Sequence, residues 1–129
     1  MTAGAGESGA VRLTMPRERR LRLGRDFRRV YGRRASAATD TLVVYADANG
    51  LEINRLGVSV GRKHGSSVRR NRIKRLLREA FRLSQAKLPR GYDFVLIPRR
   101  AEALTLAALL KELPDLARQA AARAARKAK

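Results

Sequence analysis

Between Ser66 and Leu83 the segment SSVRRNRIKRLLREAFRL repeats its apolar residues at helical spacing, so that Ile73, Leu76, Leu77, Ala80 and Phe81 form one stripe. At about 100° per residue, Asn71, Arg75, Arg78 and Arg82 fall on the opposite side. Ser66 or Ser67 supplies the N-terminal cap. A helix with these two faces must bury one against a core and leave the other open. Arg69, Arg70 and Arg72 stand in its first turns, where the positive end of the helix dipole disfavours exposed cations by roughly 0.3–1 kcal/mol each. Folding alone would not select them. A bound phosphate reverses the sign, because free backbone N–H groups and guanidinium groups then converge on one anion.

The whole chain repeats that bias. Its 129 residues include 30 lysines and arginines against 11 acids, a formal net charge of +19, which points to a polyanionic partner. With 44% hydrophobic residues it still has the material for one compact core. There is no cysteine, which excludes disulfide scaffolds, thiolate zinc sites and cysteine nucleophiles and fits a reducing, cytoplasmic setting. No apolar run approaches the roughly 18 residues that a membrane span requires, so no membrane association is expected.

Composition divides the chain into three. Residues 1–14 read as a flexible N-terminal extension ahead of Met15 and Pro16, residues 15–116 as the folded domain, and residues 117–129 as a basic, low-complexity tail. Within the domain, Leu23, Phe27, Val30 and Tyr31 share one face of a short helix that Gly32 is placed to end. Thr41–Ala46 and Arg55–Val60 read as an antiparallel pair joined by a turn at Asp47–Gly50. Gly57, Ser59 and Gly61 leave one side of the second strand bare, inviting close approach to its backbone. Tyr92–Ile97 is a buried strand by length and flanks, and Leu106, Leu109, Leu110 and Leu113 mark a last helix that Pro114 stops or divides. The expected class is α+β, with helices packed on a small, mainly antiparallel sheet.

The residues for protein-based phosphodiester hydrolysis are missing. The acids are scattered rather than clustered for two metals, and His64, the only histidine, sits in a basic loop with no partner for acid–base work. Ser66 and Ser67 lack a histidine base in register and fit capping instead. Phe27, Tyr31 and Tyr45 are candidates for stacking on unpaired bases, with Arg25, Arg28 and Arg29 flanking the first two. Phe27 and Tyr31 fit a core equally well, because they share their helix face with Leu23 and Val30.

The stretch Gly57–Arg82, GVSVGRKHGSSVRRNRIKRLLREAFR, centred on Arg70, Asn71 and Arg72, resembles the signature of the bacterial ribonuclease P protein subunit. The resemblance runs from Pro16 to about Leu113 and takes in Asp26, Phe27 and the TLVVY and YDFVLI strands. Arg62 and Ser67 depart from the lysine and alanine common at those positions. It implies the order αβββαβα with a left-handed crossover around the basic helix, where general handedness would be right-handed. It also implies a ribonucleoprotein that removes the 5′ leader of precursor tRNA, with Mg²⁺ held mainly by a catalytic RNA, no cofactor on the protein and one protein per RNA. Arg69, Arg70, Asn71, Arg72, Lys74, Arg75 and Arg78 would then contact the catalytic RNA. Phe27, Tyr31, Tyr45, Arg62 and Lys63 would line the path of the leader. The rivals are a ribosomal-protein-like binder of structured RNA, an architectural DNA-binding protein and a self-sufficient nuclease. The arginine–asparagine–arginine motif disfavours the first two, and the missing catalytic constellation disfavours the third.

Overall fold

A computed structural model describes residues 19–128; the proposed extension at residues 1–14 lies outside them. In chain order the elements are helix α1 (Gly24–Arg33), strands β1 (Ser36–Ala38), β2 (Leu42–Ala48) and β3 (Arg55–Val58), helix α2 (Ser67–Ser84), strand β4 (Tyr92–Pro98) and helix α3 (Leu106–Lys127). This is the αβββαβα order, an α+β fold on a mixed sheet.

The expected hairpin does not form. Across the sheet the order is β1, β2, β4, β3, with β4 antiparallel to β2 and parallel to β3. The reason lies in β4, where Asp93, Phe94, Val95 and Leu96 are all buried. A strand apolar on both faces gains most from a central position with layers above and below. The β2–β3 connection spans the gap that β4 fills and is tied down by two asparagines. Asn49 Nδ2 donates to the Ile53 carbonyl at 3.1 Å. Asn54 donates to the Pro89 carbonyl at 2.7 Å and accepts from the Tyr92 N–H at 2.9 Å. Strand β1, three residues on the edge of the sheet, carried no recognisable sequence pattern.

Alternation along the strands sends side chains to two unequal layers. Leu42, Val44, Ala46, Leu56, Phe94 and Leu96 meet α2 and α3 in the main core, with the Phe81 and Phe94 rings edge-on at 6.0 Å. The stripe expected on α2 does this packing: Ile73, Leu77, Ala80 and Phe81 are buried and Leu76 packs at their edge. On the other face, α1 covers a small cluster of Leu21, Val30 and Val95. Leu23, expected on the buried side of α1, stands at its N-cap and is 51% exposed. The helix also passes Gly32 and ends where Arg34 turns left-handed (φ 57°) with its N–H on the Tyr31 carbonyl. The bare side of β3 is filled from within, because the Phe27 ring lies directly over Gly57.

Of the tail expected at residues 117–129, the described residues 117–128 are not separate from the domain. Helix α3 runs through Pro114 to Lys127 and buries Leu116, Ala117, Ala120, Ala121 and Ala124 in the main core. Proline in a helix interior forfeits a hydrogen bond at a cost of about 3 kcal/mol. Its buried neighbours and the helix-favouring alanine run offset that cost. The basic residues here face backbone oxygens: Arg123 donates to the Ser36 carbonyl, and Lys127 Nζ to the Arg34 carbonyl. Among the described residues no helix is long and apolar enough to cross a membrane.

Candidate nucleic-acid interface

The N-terminus of α2 is built around its arginines. The Ser66 hydroxyl accepts from the Arg69 N–H at 3.2 Å, which selects Ser66 over Ser67 as the cap. Gly65 has φ +116°, and a Cβ there would stand 2.7 Å from Arg69 Cδ, so glycine is required. Arg70 folds back, donating from Nε to the Gly65 carbonyl at 3.1 Å and from its terminal nitrogen to the Ser67 hydroxyl at 3.3 Å. Arg69, Asn71, Arg72 and Arg75 are exposed, while Arg70, Lys74 and Arg78 are half-buried.

Among the described residues no carboxylate lies within ion-pair distance of any of these cations. Arg82, placed with them by periodicity, differs: it makes a two-pronged pair with Glu79 at 3.1 and 2.8 Å. Burial, and then the nearby Arg20, pull the Arg78 guanidinium below its ordinary range. Arg20, Arg22 and Arg78 line one small cleft beside Leu56 and Val58, so the basic surface continues from α2 onto the segment ahead of α1. That continuation depends on Leu21, whose N–H donates to the Leu56 carbonyl at 2.8 Å, a pairing invisible in local sequence.

The second region lies between α1 and the sheet. Phe27 and Tyr31 stand one turn apart with centroids at 6.3 Å, and Tyr31 meets Tyr45 of β2 edge-on at 5.1 Å. All three rings pack on the Leu21–Val30–Val95 cluster and all three keep part of their surface open. The two readings of these residues therefore merge: one edge of each ring is core, the other is available. Ile97 joins the same cluster. Arg62 and Lys63 are exposed in a 3-10 turn after β3, with His64 half-buried beside them. Lys63 is grouped with Asp40, Arg99 and Arg100 around an open depression of about 530 Å³ rather than with the rings.

Beside the rings sits an ion network that charge counting did not reveal. Asp47 of β2 and Asp93 of β4 are buried and face each other directly across the sheet. Arg29 spans them, with one nitrogen on Asp47 Oδ2 at 2.6 Å and the other on Asp93 Oδ2. Arg33 Nε donates to Asp47 Oδ1 at 2.9 Å. Arg55 binds Asp93 through two bonds of 2.8 Å, and Asn49 donates to the same carboxylate at 2.9 Å. Burial alone would raise the Asp93 carboxyl; hydrogen bonds from Arg55, Asn49 and Arg29 outweigh it and hold it below 3.8. Arg29 and Arg33 are thus partly consumed by folding. Among the described residues no three metal-ligating side chains converge, and the oxygens of this one opposed carboxylate pair are taken by guanidinium and amide donors.

A protein-family model described as Ribonuclease P matches residues 15–121. The chain belongs to the ribonuclease P protein family. The ribonuclease P protein component of Alkaliphilus oremlandii is 46% identical over 80 residues, covering 62% of this chain and 70% of that one. The component from Natranaerobius thermophilus is 51% identical over 79 residues, covering 60% and 69%. The solved ribonuclease P protein of Thermotoga maritima superposes with a TM-score of 0.68 at 38% identity, over 77% of this chain and 96% of that one. The Staphylococcus aureus ribonuclease P protein gives 0.67 at 32% identity, over 76% and 91%. Membership in the ribonuclease P family makes an RNA partner part of the protein's function and disfavours a ribosomal-protein-like binder with no processing role.

Proposed function

We propose that this chain is the RNA-binding subunit of a ribonuclease P that cuts the 5′ leader from precursor tRNA, with the chemistry carried by a partner RNA. The observation that carries this reading is the face of α2, where Arg69, Arg72, Lys74, Arg75 and Arg78 find no acidic partner among the described residues. A protein stable without a ligand neutralises or disperses such charge; one that meets phosphates keeps it free. Arg70 and Asn71 complete that contact with the catalytic RNA. The half-open row of Phe27, Tyr31 and Tyr45 suits a single-stranded leader, whose unpaired bases stack on aromatic rings. Arg62 and Lys63 are exposed cations for its phosphates.

In this reading Mg²⁺ belongs to the RNA, because the carboxylates of this chain are scattered or bonded to arginine, and one protein serves one RNA. Cleavage of precursor tRNA by the protein alone, the partner RNA alone and the two combined tests the reading at near-physiological salt. Efficient cleavage is expected only in the combination. Precursor cleavage at the same site by the protein alone would overturn it.

A further inference from the structure

The ring row that faces the leader is carried by a helix with little apolar anchorage. Of the ten residues of α1 only Val30 is buried, and Leu23 ahead of it is exposed. Viewed down the axis at about 100° per residue, Phe27 and Tyr31 occupy one flank of Val30, and Arg29 and Arg33 the other. With one fully buried valine, α1 is otherwise seated on its two half-buried rings, so a roll about Val30 that lifts one flank and lowers the other moves those rings directly. The arginine flank is fixed by bonds to Asp47 and Asp93, two carboxylates held rigidly by the opposed register of β2 and β4.

We propose that Asp47 and Asp93 are positioning residues for the precursor leader: through Arg29 and Arg33 they set the roll of α1, and with it the alignment of Phe27 and Tyr31 with Tyr45. This rests on the leader reading given above. It has a counterintuitive sign. Removing an acid from a protein that binds a polyanion strengthens binding when charge alone decides. If Asp47 instead positions α1, removing it weakens the grip on the leader.

The test uses the reconstituted protein–RNA complex and two precursors, one with a long leader and one with a leader too short to reach the rings. Asp47→Asn, which keeps the shape of the side chain, is expected to weaken long-leader binding roughly tenfold, within the range produced by losing one base stack. Short-leader binding and assembly with the catalytic RNA stay as in the wild type. Arg33→Met, which removes the half-exposed outer contact with Asp47 together with a long 3.4 Å bond to the Lys127 carbonyl, moves the same way by less, so the test survives if Asp47→Asn folds poorly. Arg29→Lys retains the charge and recovers part of the long-leader affinity lost in Arg29→Met. Unchanged or tighter long-leader binding in both Asp47→Asn and Arg33→Met overturns the proposal, as does an equal loss with both leaders. Phe27→Ala separates the two ideas: if it costs long-leader affinity while Asp47→Asn does not, the positioning role fails alone. If Phe27→Ala affects both leaders equally, the leader reading fails and this proposal with it.

Discussion

The Phe27 ring occupies the space that a side chain at position 57 would need: a Cβ on Gly57 would stand 2.7 and 2.8 Å from two of its carbons. The contact joins α1 to β3 and places the first ring of the aromatic row.

Gly57→Ala should therefore displace Phe27 rather than merely tighten the core. Overpacking of this kind costs about 1–3 kcal/mol. A lower melting temperature is expected together with weaker binding of long-leader precursors, and both are measurable on one preparation. A variant with wild-type affinity for long leaders would show that the Phe27 position does not matter to the leader.

Arg72→Ala and Arg75→Ala remove exposed cations that make no ion pair among the described residues, so thermal stability should stay within about 0.5 kcal/mol of the parent. Assembly with the catalytic RNA should weaken by roughly 1.5–3 kcal/mol for each lost charge-assisted contact. The slope of log affinity against log salt should fall by about one unit per phosphate released. Filter binding across a salt series checks both. Arg70→Ala should add a stability loss, because Arg70 also braces Gly65 and Ser67.

Truncation after Ala117 should destabilise the fold, although the deleted sequence looks like a solvated tail. It removes the buried methyls of Ala120, Ala121 and Ala124, worth about 0.8 kcal/mol each, hence about 2 kcal/mol before the contact of Arg123 with β1 is counted. Urea denaturation should show a lower midpoint.

Acid should loosen the seat of α1. Asp93 has its folded pKa held below 3.8, so its ionised form contributes full stability above the unfolded value near 3.9. That contribution is lost as pH falls from there through the lower folded value. Asp93→Asn should be less stable than the parent at pH 7, and the difference should shrink in denaturation curves taken below about pH 4.

Local patterning made α2 legible, because the residues that define it, from the Ser66 cap to Phe81, lie within one stretch. The identities of the three rings were legible for the same reason. Their geometry was not, since Tyr45 meets Tyr31 only once β2 is placed against α1. Strand order and the Asp47–Asp93 pair depend on β4 inserting between β2 and β3, a pairing of segments far apart in the chain. The alanine run after Ala117 read as biased sequence because small residues carry a weak hydrophobic signal, yet their size is what lets α3 approach β1 and β2.

The position of β4 also dictates the order of events during synthesis. The strand at the middle of the sheet is the last of the four to leave the ribosome, after α1, β1, β2, β3 and α2 have all been made. Until residue 98 emerges, β2 and β3 have no neighbour to share, Asp93 is not there to receive Arg29 and Arg55, and the arginines of α1 and α2 hang on an unfinished frame. A nascent chain cut short before β4 is therefore a polycation without a fold. Only the near-complete protein turns that charge into a shaped surface.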